Sequence, residues 1–233
     1  MTSILTLNLW RYYDFETRLP NIVKAVKAKK PDIIFLQEVQ IDSAVSSFSQ
    51  VEIIKKQLPE YPYSVHSTIY RKEFQQGQKL DMPIQHGMAI LSKHPILNSF
   101  EYYVIKNEGE EESRSILCFD VEINSTIFKF ANIHFANKEE WAKKQCEEFI
   151  NFIHTRGEKR VLAGDFNMFK LTEHNLLHGY KLSYAYKAYD SYPKDNGCLD
   201  YVAIPDNLDF IKVELLEDYL SDHKGLLVDV SGI

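Results

Sequence analysis

The sequence predicts an α/β (α+β) protein in which two β-sheets are in contact and helices cover the outside. Three observations lead to this prediction. A strand–helix–strand unit opens the chain, closely spaced strands fill its middle, and a long amphipathic helix leads into a short apolar strand near residue 161. The chain contains no internal repeat, low-complexity segment or linker, so we predict one domain over residues 1–233.

The N-terminal unit begins with an apolar strand at residues 3–9 and ends with a buried strand at residues 32–39. A helix is predicted between them because apolar residues recur at helical spacing: Leu19, Ile22, Val23 and Val26. Pro31 ends this helix, since the residue before a proline disfavours the helical conformation. A helical crossover makes the two strands parallel, which would bring Asn8 and Glu38 to the same end of a sheet.

The middle of the chain combines a second helix, predicted at residues 48–58, with several strands. The polar composition of residues 71–85, which include Gly77, predicts a surface loop. The acidic segment 107–112 predicts a solvated turn, which would repel a polyanion if it lay near a functional cleft. Strands are predicted at residues 61–66, 87–92, 102–105, 115–123 and 127–134. Their short connections favour antiparallel neighbours.

The C-terminal half begins with the clearest predicted helix, at residues 139–153. One face of this helix carries Trp141, Gln145, Phe149, Phe152 and Ile153. Residues 180–192 are rich in tyrosine, and their pattern is ambiguous between helix and strand. Three further strands are predicted at residues 199–204, 210–216 and 226–230.

The short strand after the long helix ends at Gly164 and is followed by Asp165, Phe166 and Asn167. Alternate side chains of an extended chain point to the same side, so Asp165 and Asn167 would face one pocket and Phe166 the core. A carboxylate beside an amide can place a hard metal ion and an attacking water together. A plain turn is the alternative, since Asp and Asn are common turn residues.

Composition and charge limit the classes of function. The net charge of -6 and the pI of about 5.8 argue against a broad electrostatic surface for nucleic acid or an anionic membrane. The three cysteines lack CxxC spacing, so neither a disulfide framework nor a zinc site is indicated. The chain has no long apolar run and no signal-peptide pattern, so we expect a cytoplasmic protein without a transmembrane segment.

Polar residues stand where predicted strands end: Asn8, Glu38, His134, Asp165, Asn167, Asp200, Asp222 and His223. Strand ends that meet at one rim form the sites of layered α/β proteins. Carboxylates and amides suit Mg²⁺ better than zinc, with Mn²⁺ as an alternative. Taken singly, each residue has a structural alternative, such as a strand-end cap, a satisfied core histidine or a loop pair.

Six short motifs follow one another along the chain: Thr6-Leu7-Asn8, Leu36-Gln37-Glu38, Asn132-Ile133-His134, Gly164-Asp165-Phe166-Asn167, Leu199-Asp200-Tyr201 and Ser221-Asp222-His223. Together they resemble the ordered motifs of the endonuclease/exonuclease/phosphatase family, and residues 87–93 are also similar to it. The resemblance covers nearly the whole chain. It implies a four-layer sandwich, with two mixed β-sheets packed face to face and helices on both outer faces, and it implies metal-dependent hydrolysis of a phosphoester.

The resemblance also implies roles for the motif residues. Glu38 would be the main metal ligand, with Asn8 beside it and Asp222 on the same cation. Asp165 and Asn167 would orient the attacking water and the phosphate.

Two histidines and an arginine complete the implied site. His223, held by Asp200, would contact the phosphate or act as the base, and Asp165 is the alternative base. His134 would stabilise the developing charge or protonate the leaving oxygen. Arg114 precedes a predicted strand and is a candidate phosphate ligand, with a surface charge as the alternative.

These observations predict a Mg²⁺-dependent phosphoester hydrolase, and a phosphodiesterase in particular. A lipid or inositol head-group phosphoesterase is the alternative enzyme, and a catalytically silent binding module on the same scaffold is the alternative from another class. The acidic pI disfavours a nucleic-acid substrate without excluding one. We expect a monomer whose substrate is a phosphoester of a type that the sequence leaves open.

Overall fold

Two six-stranded β-sheets and their flanking helices make up the computed structural model, which describes residues 1–75, 78–217 and 219–233, with the backbone alone for residues 70–75 and 78–81. The strands are β1 (Thr2–Asn8), β2 (Ile33–Ile41), β3 (Tyr63–Gln75), β4 (Gln78–Ser92), β5 (Ile96–Tyr103), β6 (Ser115–Ile123), β7 (Thr126–His134), β8 (Val161–Asp165), β9 (Tyr180–Leu182), β10 (Asp200–Pro205), β11 (Asp209–Leu216) and β12 (Gly225–Ser231). The α-helices are α1 (Phe15–Lys29), α2 (Gln50–Gln57), α3 (Glu139–Thr155) and the short α4 (Ser183–Tyr186).

Each sheet mixes parallel and antiparallel neighbours. The first sheet has the order β11-β12-β1-β2-β4-β3, and β1 runs parallel to β2. The second has the order β5-β6-β7-β8-β10-β9, and β7 runs parallel to β8. Both parallel pairs are joined through a helix, α1 in the first sheet and α3 in the second, as a parallel connection requires. Residues that are far apart in the sequence therefore lie at neighbouring strand ends.

The two sheets pack face to face over a shared apolar core. Phe35 of the first sheet lies 5.3 Å from Phe119 and 6.1 Å from Phe130 of the second, measured between ring centroids. Separate buried clusters join α1 and α2 to the outer face of the first sheet and α3 to that of the second. This arrangement confirms the predicted four-layer sandwich. None of the helices in the described ranges is long and apolar enough to cross a membrane.

The helices on the first sheet end where the sequence indicates. Ser49 caps α2, because its hydroxyl accepts from the backbone N–H of Glu52 and the Glu52 carboxylate accepts from the backbone N–H of Ser49. After α1, Lys30 adopts a left-handed conformation and its N–H donates to the carbonyl of Val26, just before Pro31.

The predicted loop at residues 71–85 is wrong. Most of this segment belongs to β3 and β4, which pair as a long antiparallel hairpin at the edge of the first sheet. Gly77 of that prediction lies outside the described residues. The polar sequence reflects the position of the hairpin: the pairing of β4 with β2 extends to Gln85, and the described residues of β4 before Gln85 pair with β3 alone. The predicted strand at residues 102–105 is also too short, since β5 begins at Ile96.

Candidate active site

The two parallel strand pairs bring four of the predicted residues to one edge of the sandwich. Asn8 ends β1 and lies opposite Gln37 of β2, while His134 ends β7 and lies opposite Asp165 of β8. Asp200 begins β10 and pairs with Asp165 across the antiparallel β8–β10 ladder. The strand ends of both sheets therefore supply side chains to the same place.

Glu38 lies within β2 in a strained backbone conformation. The register between β2 and β4 shifts between Leu36 and Val39, which is a β-bulge, and Glu38 itself has a φ of 51°. Such a conformation is unfavourable for a glutamate and is concentrated at functional sites. The bulge lets the Glu38 side chain leave the regular alternation and reach the cleft, where 22% of it is exposed.

Asp165 is positioned by an unusually close approach of two strands. Gly164 has a φ of 145°, and a Cβ atom there would lie 2.0 Å from the carbonyl oxygen of Ile133. Only glycine fits this position, which explains why the apolar run ends at Gly164. Phe166 turns into the core, as predicted, and is fully buried.

The Asp165 carboxylate is buried and held by two hydrogen bonds. Its Oδ2 accepts from the side-chain amide of Asn8 at 3.1 Å, and its Oδ1 accepts from the backbone N–H of Asn167 at 2.9 Å. Burial raises the pKa of Asp165 above its ordinary value, although the nearby His223 opposes this shift. A carboxyl group of this kind can take up a proton near neutral pH.

His223 is held by Asp200. The Nδ1 atom of His223 lies 2.8 Å from Oδ2 of Asp200, and its Nε2 lies 3.9 Å from Oδ2 of Asp165. Burial alone would lower the pKa of His223, but the charge and hydrogen bond of Asp200 raise it to about 10. The ring of Tyr192 packs beside the imidazole, with 4.8 Å between centroids. The predicted histidine–carboxylate pair is therefore present.

His134 is the second buried histidine of the site. Its Nε2 lies 3.8 Å from Oδ2 of Asp165 and 3.9 Å from Oε1 of Glu38. Burial lowers the pKa of His134 well below its ordinary value, and the positive charge of Arg114, whose Nη1 lies 3.3 Å from this ring nitrogen, adds to the effect. The imidazole is therefore neutral at pH 7. Arg114 is 9% exposed and lies against the histidine, so the surface-charge alternative for this arginine is wrong.

Arg11 and the acidic segment 107–112 also reach the site, and Arg11 was not among the predicted site residues. The Nε atom of Arg11 lies 3.3 Å from Oε2 of Glu38, and its Nη2 lies 3.5 Å from Oε1 of Glu112. The acidic segment 107–112, whose position the sequence left open, thus lies at the edge of the cleft. Arg11 follows β1 in a connection with left-handed backbone, for which the sequence pattern carries no signal.

These side chains surround an open cleft of about 900 Å³. Among the described residues that line it, eight are Asp or Glu and three are Lys or Arg. The acidic residues are Glu38, Glu110, Glu111, Glu112, Glu139, Asp165, Asp195 and Asp222; the basic residues are Arg11, Arg114 and Lys138. Aromatic rings also contribute to the walls: Trp10, Tyr13, Trp141, Phe169 and Tyr192. Such a cleft attracts small cations and disfavours a polyanion.

The donor atoms in the cleft fit a hard divalent cation. Among the described residues, the Glu38 carboxylate has two ion-pair neighbours, Nε of Arg11 at 3.3 Å and Nε2 of His134 at 3.9 Å, so its oxygens keep lone pairs for a cation. The Oδ1 atom of Asn8 accepts one hydrogen bond, from the backbone N–H of Trp10 at 2.9 Å, and keeps a second lone pair. Asp222 lines the same cleft and is half-buried. Oxygen donors of this kind suit Mg²⁺ or Mn²⁺.

A second group of potential ligands lies deeper. Asp165, Asp200 and His223 each offer one ligand atom within 4.8 Å of the others. Oδ1 of Asp200 is buried and has no hydrogen-bond partner in the described part of the chain, so it can accept from a proton donor or bind a cation. The short bond between Asp200 and His223 already uses Nδ1 of the ring, so this trio suits proton handling as well as metal binding.

A buried polar network lies directly beneath the site and joins the two sheets. Nε2 of Gln37 donates to Oδ1 of Asn132 at 2.7 Å and to Thr6, while the Asn132 amide donates to the carbonyls of Leu36 and Ala89 at 3.0 and 3.2 Å. All three polar side chains are fully buried. These residues belong to the sequence motifs. Their structural role was not predicted, because the hydrogen-bond partners in the opposite sheet are distant along the chain.

The structure brings the predicted residues together. Glu38, Arg114, His134, Asp165, Asn167, Asp222 and His223 line the cleft. Asn8 and Asp200 lie behind it and hold Asp165 and His223, respectively. The roles implied by the resemblance stay predictions.

The four-layer sandwich with a polar site at its strand ends defines a class of protein. Comparison with known families identifies that class. A sequence profile of the Endonuclease/Exonuclease/phosphatase family matches residues 5–223, so the chain belongs to that family. Members of this family are phosphoester hydrolases, which supports an enzymatic, phosphoesterase activity for this chain. A sequence search of curated proteins found no match.

Solved structures support the fold. The chain is similar to an endonuclease/exonuclease/phosphatase family protein from Leptotrichia buccalis C-1013-b, with 18% identity, a TM-score of 0.76 and 99% of each chain covered. It is also similar to the Bacteroides thetaiotaomicron VPI-5482 mannosyl-6-phosphatase Bt3783, with 14% identity, a TM-score of 0.73 and 99% of each chain covered. A third similar structure is D. rerio TDP2 complexed with a single-strand DNA product, with 16% identity, a TM-score of 0.70 and 98% of each chain covered.

Proposed function

We propose that this protein is a divalent-cation-dependent phosphoester hydrolase, with Mg²⁺ as the cation and phosphodiesters as the first class of substrate to test. The observation that carries this proposal is the meeting of an accessible carboxylate, Glu38, with the Asp165–His223–Asp200 group in one cleft. The family of the chain supports the reaction class. We further propose that residues 1–233 form a single catalytic domain.

Glu38, Asn8 and Asp222 would hold the cation. When bound, it neutralises charge on the phosphate oxygens and stabilises the leaving oxygen. The acidic lining of the cleft favours binding of a small cation, because the carboxylates outnumber the basic side chains among the described lining residues.

The protonation states of the buried groups favour one division of labour. His223 is held protonated by Asp200 and would bind a phosphate oxygen as a cation. Asp165 has a raised pKa, faces the same space and would take the proton of the attacking water. Asn167 would fix the position of the water and the phosphate. His134 is neutral, so it would donate an N–H to the developing negative charge rather than supply a proton as an acid.

The charge of the cleft bears on the substrate. Long nucleic acid carries many phosphates, and eight carboxylates line the described part of the cleft. TDP2 was solved with a DNA product and Bt3783 is a mannosyl-6-phosphatase, so similar folds accept different phosphoesters. We propose a small phosphoester as the substrate of this chain, and a large polyanion is disfavoured by repulsion.

The test is hydrolysis of bis(p-nitrophenyl) phosphate and of p-nitrophenyl phosphate, with Mg²⁺ and with a chelator. We expect turnover with Mg²⁺ only, and a loss of at least about 100-fold in kcat/KM for Glu38→Gln and His223→Ala. Glu16→Gln and His178→Ala are matched controls at exposed positions and should retain activity. Tight Mg²⁺ binding without turnover on any phosphoester would instead support a silent binding module.

A further inference from the structure

The acidic segment that the sequence placed in a solvated turn has a defined structure at the cleft. Glu110 is buried and holds the segment in place, because its carboxylate accepts from the backbone and side chain of Asn107 at 2.9 and 3.0 Å. The side-chain amide of Gln145 on α3 also donates to Glu110, at 3.1 Å. The segment is therefore anchored to the body of the protein. Glu112, two positions after Glu110, is held at the wall of the cleft.

Three nitrogen-bearing side chains from separate parts of the chain lie within 3.6 Å of the Glu112 carboxylate. Nη2 of Arg11, after β1, lies 3.5 Å from its Oε1, and Nε2 of His86, on β4, lies 3.4 Å from the same oxygen. Nη2 of Arg114, just before β6, lies 3.6 Å from its Oε2. A carboxylate in this position makes the contacts that a phosphate group makes with a pair of arginines.

Arg114 connects this carboxylate to the reacting end of the cleft. Its guanidinium also lies against His134, and the side chain is nine-tenths buried. Nε of Arg114 is buried and has no hydrogen-bond partner among the described residues, and Oε1 of Glu110 lies 4.0 Å from it. Arg114 thus keeps a donor in the cleft where a phosphate is proposed to react, and Glu112 lies beside this arginine.

Resting on the proposed function, we infer that Glu112 is a specificity-determining residue that fills the subsite for a second anionic group of the substrate. The carboxylate lies within ion-pair distance of Arg11 and Arg114 and repels any further anion at that place. The site would then prefer phosphoesters with a single phosphate group and an uncharged remainder, such as a hydroxylated alcohol. Substrates with a neighbouring second phosphate, including oligonucleotides, would be excluded.

Binding of two matched anions tests this inference without any turnover. Methylphosphonate carries one phosphonate group and methylenediphosphonate carries two. The affinity of the full chain for each compound is measured by calorimetry in a buffer that contains a chelator. We expect Glu112→Gln to tighten methylenediphosphonate binding about tenfold relative to methylphosphonate binding. Glu111→Gln removes the same charge from the same segment, and its exposed carboxylate makes none of these arginine contacts, so it should change the ratio less than about threefold.

A kinetic comparison on the same variants gives an independent result. Thymidine 5′-(p-nitrophenyl phosphate) and its 3′-phosphorylated form differ by one phosphate, and the ratio of their kcat/KM values should shift about tenfold toward the second in Glu112→Gln. Glu112→Ala provides a second neutral variant should the glutamine variant fold poorly, which a thermal melt reports.

The outcomes separate this inference from the proposed function. If the wild-type protein hydrolyses neither substrate, the proposed function fails, while the phosphonate ratio still decides the role of Glu112. Equal ratio changes in Glu112→Gln and Glu111→Gln would overturn the inference and assign the effect to net charge. The inference would also be overturned if the wild-type protein bound methylenediphosphonate more tightly than methylphosphonate. It would be overturned too if neither Glu112→Gln nor Glu112→Ala bound methylenediphosphonate detectably at millimolar concentration.

Discussion

Asn8 and Asp165 belong to different sheets, and the side-chain amide of Asn8 donates a 3.1 Å hydrogen bond to Oδ2 of Asp165. The bond crosses the interface between the sheets at the cleft. One residue comes from the first strand of the chain and the other from the eighth. The site therefore depends on how the two sheets are docked and not only on the local motif around either residue.

Replacing Asn8 by alanine should weaken both stability and activity. The substitution leaves a buried carboxylate oxygen without its donor, which costs about 1–3 kcal/mol of unfolding free energy. A misplaced Asp165 should lower kcat/KM about 100-fold. Urea denaturation and steady-state kinetics measure the two effects. Asn98→Ala, at an exposed position, should stay within about 0.5 kcal/mol of the wild type; equal effects of the two variants would contradict the prediction.

Asn132 should be a strong stability determinant although it does not touch the cleft. Asn132→Ala removes three buried hydrogen bonds between the sheets and leaves their partners unsatisfied, so we expect a loss of about 3 kcal/mol. Asn151→Ala, on the exposed side of α3, is the matched control. A loss below about 1 kcal/mol for Asn132→Ala in urea denaturation would show that the network contributes little.

Gly164 should not tolerate a side chain. In Gly164→Ala the new Cβ would lie 2.0 Å from the Ile133 carbonyl oxygen, so β7 and β8 must separate. We expect destabilisation of more than about 3 kcal/mol. Gly157 also has a positive φ, of 62°, but its Cβ would meet nothing within 4 Å, so Gly157→Ala should cost only about 1 kcal/mol. Thermal or urea denaturation compares them, and similar losses would rule out the steric explanation.

The pair of His223 and Asp200 predicts a pH dependence of stability. The pKa of His223 is raised in the folded protein from 6.5 to about 10, so its contribution is complete below pH 6.5 and is lost as pH rises through 10. Without bound metal, the stability advantage of the wild type over Asp200→Asn should therefore shrink between pH 6.5 and pH 10. Urea denaturation at several pH values, in a buffer that contains a chelator, measures this difference in unfolding free energy. Asp190→Asn, at an exposed position, should show no such pH trend.

Cation binding should stabilise the fold through Glu38. A Mg²⁺ concentration 100 times its Kd should raise the unfolding free energy by about 2.7 kcal/mol, because only the folded protein has the assembled site. Glu38→Gln should lose most of this increase, whereas Glu16→Gln, exposed on α1, should keep it. A thermal shift that is the same in all three proteins would place the cation elsewhere.

Much of this architecture could be predicted because the signals were local. Apolar spacing marked α1 and α3, Pro31 marked the end of α1, and Gly164 marked the end of β8. The predicted site residues also meet, since most of them stand at or next to a strand end and the parallel strands of each sheet end at the same edge.

The errors share a different physical origin. The hairpin of β3 and β4 is polar because it extends past the edge of the sheet, so its strands lack the apolar alternation on which the prediction depended. The burial of Arg114 and the arrival of Arg11 at Glu38 arise from tertiary contacts between distant segments. Neither local propensity nor spacing contains that information, and the position of the acidic segment relative to the cleft was left open for the same reason.

The strand order of the first sheet has a consequence for biosynthesis. β1 lies between β2 and β12, so its second edge stays unpaired until β12 has left the ribosome. His223 lies two residues before β12 and arrives with it. A nascent chain that stops before His223 would hold Asp165 and Asp200 without this histidine, so the candidate site is complete only after this last segment of the first sheet has been synthesised.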